Sequence, residues 1–380
     1  MPFVSALSQH PDAATATGEA VGHVMEQLDT VPDLAVVFCS AHHLEAMPDI
    51  ASTVRGVFSP RVLLGASAGA VLSGGREVED GPALSVWAAG LPSVPRPVRV
   101  TAARTASGTA IQGLPLGELP AGGTLVLLAD PFSLPVDEVL EAIEAARPGV
   151  RVAGGFASAA HAPGGNRLML DGEVVADGGV GVVLDDAGLT TIVSQGCRPI
   201  GDPMIVTAAE GNVIAELAGR PALERVAQLA TRARPEDRTL LASGLHLGVA
   251  IDEHKEIFSR GDFLVRNIMG ADRKSKAVVA GQVVPVGTTV QFQVRDAASA
   301  DEDLHQMLAG VGANDGALVF TCNGRGRRMF GEPDHDARVV HESLGTDAIA
   351  GMFCAGELGP VGGRSFVHGF TASIVLFQDP

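Results

Sequence analysis

Three short apolar runs near the carboxyl terminus, each emptying into a cluster of polar residues, constrain this chain more than anything else in it. Ala317 to Phe320 leads into Thr321-Cys322-Asn323-Gly324-Arg325-Gly326, where two glycines free the backbone for a sharp turn. Ile349 to Phe353 ends in Cys354-Ala355-Gly356-Glu357, and Ala372 to Phe377 is preceded by His368-Gly369-Phe370-Thr371. Runs of this length bounded by glycine read as buried strands. Arg325, Glu357 and His368 therefore stand at strand ends beside the thiols of Cys322 and Cys354, and the rest of the chain reads as a frame for them.

The frame alternates strands with helices. A helix carrying Val21, Val24 and Leu28 follows a loose arm over residues 1–12, and Asp33 to Cys39 reads as a buried strand before a helix over Leu44 to Val57. The alternation returns at Thr124 to Ala129, Val136 to Ala146 and Val150 to Gly154. Ala83 to Leu91 and Pro97 to Ala102 are strand-like with no helix between them, so the first half is a mixed sheet with helices. A region rich in hairpins follows, with Asp171-Gly172 and Glu210-Gly211 as turn signals. The expected fold class is α/β (α+β mixed): two domains, each with mixed β-sheets flanked by helices, divided near Arg220 into residues 1–220 and 221–380.

An internal similarity runs through this pattern. Val62-Leu63-Leu64 leads into Gly65-Ala66-Ser67-Ala68-Gly69 and then Gly74-Gly75-Arg76. Val150 to Ala153 leads into Gly154-Gly155-Phe156-Ala157-Ser158 and then Gly164-Gly165, and Ile349-Ala350 into Gly351 to Glu357 and then Gly362-Gly363-Arg364. A real strand-loop-strand repeat predicts related backbone settings for Ser67, Ser158 and Cys354.

Charge and composition exclude some functions. A net charge of −17 disfavours nucleic-acid and anionic membrane partners, which need a basic face. No Lys or Arg precedes Arg55, so the amino terminus lacks the basic region expected of a signal peptide, and no apolar run approaches the ~20 residues of a membrane span. The expected location is the cytoplasm. The cysteines Cys39, Cys197, Cys322 and Cys354 are far apart and form no CxxC pair, which fits a reducing compartment and not a zinc ribbon. His42-His43 and His335 lack partners at metal-ligand spacing and read as surface histidines, so no metal site is expected. With no GxGxxG or GxxxxGK fingerprint, no nucleotide cofactor is expected either.

Gly65-Ala66-Ser67-Ala68-Gly69 matches the GxSxG nucleophile elbow, but that elbow needs a helix after the serine, and Ser73-Gly74-Gly75 break the chain there. Cys322, Arg325 and His368 suggest a thiol activated by a base and a cation. The bland reading of the same residues is a buried cysteine with Arg325 paired to Glu357 as a structural ion pair. Between these lies a binding reading, in which Arg325 offers its planar fork to a carboxylate and Glu357 takes an ammonium. Asp334 or Asp336 is read as the cap of a helix from Ala337 to Leu344.

At these residues the chain resembles the FIST family, named for F-box and intracellular signal transduction. The resemblance rests on Phe263 to Gly270, Phe292 to Asp303, Cys322 to Gly326, Gly356 to Pro360 and His368 to Thr371 in the carboxyl half. In the amino half it rests on Gly65 to Gly69 with Glu77, where family members often carry Cys in place of Ala66. The resemblance implies a sensory, ligand-binding role in signal transduction with small molecules such as amino acids as ligands, and no settled catalytic residues.

Sequence alone thus leads to a protein that binds a small carboxylate-bearing or zwitterionic molecule, more a sensor than an enzyme. Arg325, Glu357, His368, Cys322, Ser67 and Thr371 are the expected ligand contacts, and a separate signalling protein is the expected output. A hydrolase or transferase using Cys322 or Ser67 and a ligand-free interaction scaffold are the alternatives.

Overall fold

The computed structural model describes residues 3–28, 30–105, 108–312 and 314–378. They are a mixture of helix and strand in two compact units. One comprises Met1–Ser194, Leu304–Val367 and Thr371–Pro380, the other Gln195–Asp303 and His368–Phe370. The expected boundary near Arg220 falls inside the second unit, and the hairpin region is divided, with residues 168–194 in the first.

Three strand-helix-strand segments organise the first unit. Leu34–Ser40 lies parallel to Val62–Ala68, Thr124–Ala129 to Arg151–Phe156, and Gly316–Cys322 to Ile349–Cys354. A helix or helices join each pair: Met47–Phe58, Val136–Ala146 and His335–Leu344. Each pair is completed by an antiparallel strand beside its first member, Leu84–Ala89, Gly179–Leu184 and Thr371–Phe377 respectively. These strands read as nearly unbroken apolar runs because both faces are covered. Val36, Phe38 and Leu64, Val126, Leu128 and Val182, and Phe320, Met352 and Phe377 share one central core among the three sheets. The alternate residues, such as Val37, Leu127 and Val319, pack outward against the helices.

Before its third strand each segment emits a hairpin, and the hairpin leaves for the next sheet. Val71–Ser73 pairs with Ile349–Cys354, Glu357–Val361 pairs with Arg151–Phe156, and Leu168–Leu170 pairs with Val62–Ala68. The exchange is cyclic, so each segment lends a strand to one neighbour and borrows from the other. The registers coincide: Leu72 faces Gly351, Met169 faces Gly65, and Leu358 faces Gly154. At these three glycines a Cβ would run into the carbonyl oxygen of Val319, Val37 and Leu127 on the adjacent parallel strand. The N–H two residues further on donates to the incoming strand in each case: Phe353 to Ala70, Ser67 to Arg167 and Phe156 to Gly356, all at 2.9 Å.

The internal repeat is therefore real, but its register differs from the one expected. Ser67, Ser158 and Cys354 lie two, four and three residues past the equivalent glycines Gly65, Gly154 and Gly351, because glycine-rich turns align by composition and strands by hydrogen bonding. Where the equivalent backbone bond is missing, the Ser158 hydroxyl spans the gap, accepting from Gly69 N–H at 2.9 Å and donating to Phe353 O at 2.5 Å.

Residues 3–8 are not the loose arm expected. Phe3–Ser8 forms an edge strand antiparallel to Leu84–Ala89, with Phe3 packed on Trp87 and Phe377; positions 1 and 2 of that stretch lie outside the described residues.

The second unit is an antiparallel barrel. Met204–Glu210, Val213–Leu217, Ala277–Ala280, Phe263–Asp272, His246–Ala250 and Thr289–Arg295 pair in that order, and the last returns to Met204–Glu210. Val206, Ile214, Leu247, Val278 and Phe292 fill it, and helices Ala222–Arg232 and Pro235–Ser243 lie against it.

Candidate functional site

The carboxyl ends of parallel strands are where open α/β sheets place ligands, because the loops there splay apart. Gly316–Cys322 and Ile349–Cys354 end together, with Cys322 directly beside Cys354. Past them the chain turns tightly: Asn323 N–H donates to Cys354 O at 2.9 Å and Arg325 N–H to Cys322 O at 2.8 Å. Gly326 completes the turn at φ +61, and a Cβ there would lie 2.8 Å from the Phe353 ring and 2.9 Å from the Glu79 carboxyl. The turn throws Arg325 inward, where it is fully buried.

A buried guanidinium demands a partner, and that partner is Asp336. Arg325 Nε donates to Asp336 Oδ2 at 2.7 Å and Nη2 to Oδ1 at 2.8 Å. Asp336 also accepts from the Thr321 hydroxyl at 2.5 Å and from His335 Nδ1 at 2.9 Å. Burial alone would raise the Asp336 carboxyl, but the Arg325 charge and these hydrogen bonds outweigh it and hold the group well below the usual carboxylate range. The guanidinium also lies over the Phe330 ring, 5.2 Å from its centroid, and Phe330 stacks on His335. Three expectations are corrected here. Arg325 is not ion-paired to Glu357 as its first partner. His335 is buried rather than a surface residue, and so is His43. Asp336 faces the arginine rather than capping its helix.

The cap comes from elsewhere. Helix His335–Leu344 receives no side-chain cap from Asp334, which sits in a left-handed conformation and instead accepts from Glu77 N–H at 2.6 Å. The Ala337 N–H donates to Glu77 Oε1 at 3.0 Å, so a residue on a hairpin of the amino half satisfies the helix start. Burial first, then the charge of Asp336, pushes the Glu77 carboxyl up to about 8. Its Oε2 is buried with no hydrogen-bond partner among the described residues.

Glu357 is fully buried at the start of the hairpin that crosses to Arg151–Phe156, opposite Gly155. Its Oε2 accepts from the Thr371 N–H at 3.1 Å and hydroxyl at 2.9 Å. Burial pushes this carboxyl up to about 8, against the opposing pull of Thr371, the Cys322 thiol and the Arg325 charge. The neighbouring Cys354 thiol is pushed well above its ordinary value by burial, then by the Glu357 charge. Two polar atoms of this cluster have no hydrogen-bond partner among the described residues: Arg325 Nη1 and Glu357 Oε1. Buried polar atoms are almost always paired, because each orphan costs about 1–3 kcal/mol.

Comparison with known proteins now places the chain. Residues 33–220 match the FIST N domain and residues 222–360 the FIST C domain. An uncharacterized protein of Mycobacterium tuberculosis is 42% identical over 98% of each chain, and one of Mycobacterium bovis is 43% identical over 97% of each. The chain belongs to the FIST family. FIST domains are generally associated with signal-transduction sensing. In this FIST protein the two matched regions do not correspond to the two compact units, since the FIST N hairpin Val71–Ser73 adds directly to the FIST C strand Ile349–Cys354.

Of the residues singled out from sequence, Arg325, Glu357, Cys322 and Thr371 come together. Ser67 is buried in the strand Val62–Ala68, which leads into a hairpin and not a helix, and its hydroxyl accepts from Arg167 N–H at 2.9 Å. His368 is buried and belongs, with Gly369 and Phe370, to the barrel unit. Sequence reasoning missed the roles of Asp336 and Glu77. No cluster of three or more metal-type ligands occurs among the described residues. Among them, too, no helix is long and apolar enough to cross a membrane.

Proposed function

We propose that this FIST protein binds a small carboxylate-bearing molecule, an amino acid among the candidates, at Arg325 and Glu357, and passes the occupancy of that site to a separate signalling protein. The observation that carries the reading is the pair of orphaned buried atoms, Arg325 Nη1 and Glu357 Oε1, in one cluster. Asp336 takes two of the guanidinium's donors and neutralises its charge, leaving Nη1 to give one hydrogen bond to a ligand carboxylate. Glu357, its carboxyl pushed up to about 8, donates to a carboxylate when protonated or, on meeting an ammonium, releases its proton and becomes the counter-charge. Cys322, half-buried, and Thr371 adjoin Glu357, and Thr371 holds it in position through two hydrogen bonds. Ser67 is buried and its hydroxyl accepts from the Arg167 N–H, which weighs against the serine alternative; the thiol alternative rests on Cys322.

A thermal-shift screen of amino acids and small carboxylates tests the proposal. At least one compound raises the melting temperature of the wild type and fails to raise that of Glu357→Gln. If no compound stabilises the wild type, or the variant responds equally, the reading is wrong.

A further inference from the structure

The barrel unit contains a second place built for a ligand. Helix Ala222–Arg232 is strongly two-faced, yet Ala222 is its one buried residue. Two-faced helices are held by burying their apolar stripe. Val226 and Leu229 pack partly buried against the barrel core, and Leu229 lines, together with Met204 and Phe292, a cavity of about 390 Å³, within the roughly 300–1,000 Å³ of small-molecule pockets.

The rim is basic in a chain whose net charge is −17. Arg225, Arg232 and Arg234 line it against Asp202 and Asp237. Asp237 is already committed, accepting from Arg198 Nη2 at 2.5 Å and from Arg234 Nε at 3.1 Å. Arg225 is anchored on the carbonyl oxygens of Leu217 and Ala218 at 3.0 and 2.8 Å and on Gln228 Oε1 at 3.4 Å, and it makes no ion pair among the described residues. Arg232, exposed, makes no hydrogen bond or ion pair among the described residues. Arg225 and Arg232 thus face one carboxylate, Asp202, beside apolar side chains, an excess of positive charge that favours an anion with a hydrophobic body.

We infer that this cavity binds a small amphipathic organic anion, its charged group between Arg225 and Arg232 and its apolar body against Leu229, Met204 and Phe292. This site is independent of the Arg325–Glu357 cluster. Octanoate and octanol, which share the apolar body and differ in charge, are suitable probes for calorimetric titration of the full chain. Octanoate binds saturably, one per chain. Octanol and the exposed-site variant Arg232→Ala each weaken binding about tenfold, as expected for loss of a charge-assisted hydrogen bond. Leu229→Trp, which crowds the apolar side of the cavity, weakens octanoate binding as well. Absence of saturable octanoate binding, equal binding of octanol, or full affinity in Arg232→Ala overturns the inference, and the last comparison decides even if Leu229→Trp fails to fold.

Discussion

Arg325 and Asp336 form a buried two-bond ion pair, at 2.7 and 2.8 Å, with side chains 0% and 1% exposed. Removing one partner strands a buried charge, which costs about 3–5 kcal/mol. Arg325→Ala and Asp336→Ala each lower the urea-unfolding free energy by that order. The double variant Arg325→Met/Asp336→Leu recovers most of the loss, because replacing both charges leaves neither one stranded. Additive losses in the double variant would show that the two side chains do not depend on each other. For the same reason a ligand test at this site is better made at Glu357 than at Arg325.

Stability falls as pH rises from about 5 to 8. Glu77 and Glu357 have ordinary values near 4.5 that the fold pushes up to about 8. In this window the folded chain holds protons that the unfolded chain has released, so raising the pH favours unfolding. The contribution is fully present below the unfolded value and is lost as pH passes the folded one. Glu357→Gln, which cannot ionise, flattens the curve when unfolding free energy is measured at several pH values. Asp336 acts oppositely: its depressed carboxyl contributes stability above the usual carboxylate range that is lost in acid.

Glu77→Ala removes the acceptor of the Ala337 N–H and costs about 1–2 kcal/mol, as loss of a helix cap does. Hydrogen exchange at Ala337 and Arg338 accelerates relative to the central strands. Glu77→Gln keeps an oxygen for the cap and stays within about 1 kcal/mol of the wild type at pH 7.

The cyclic exchange of hairpins predicts that Gly65→Ala, Gly154→Ala and Gly351→Ala all destabilise, since each new methyl meets a carbonyl oxygen of the neighbouring strand. Forced overpacking costs about 1–3 kcal/mol, and Gly154→Ala suffers most because its φ of +138 also disfavours a side chain. Thermal unfolding of the three variants checks this. An unchanged melting temperature for any one would break the equivalence of the three segments.

The strands and turns of this fold were readable because apolar runs, Gly-Gly pairs and Asp-Gly turns are local signals. Val136–Ala146 and the hairpin at Asp171-Gly172 lie where the pattern puts them. The partners were not readable, because they are set by register between distant segments. Nothing near Glu77 announces that it caps a helix 260 residues later. Asp336 looks like a cap because carboxylates near a helix start usually are, and the left-handed turn at Asp334 that aims it at Arg325 has no local signature. Closure of the barrel by Thr289–Arg295 against His246–Ala250 is likewise a matter of register. Arg325 and Glu357 could be picked out as a charged pair, whereas the protonation of Glu357 follows only from its depth.

The most direct test of the proposed site is calorimetry of the best amino-acid binder near pH 7, in two buffers of different ionisation enthalpy. Binding of a zwitterion at Glu357 releases close to one proton per site, and Glu357→Gln abolishes both the proton release and most of the affinity. Binding that releases no proton, or that survives Glu357→Gln unchanged, would contradict the assignment of Glu357 as the group that meets the ligand.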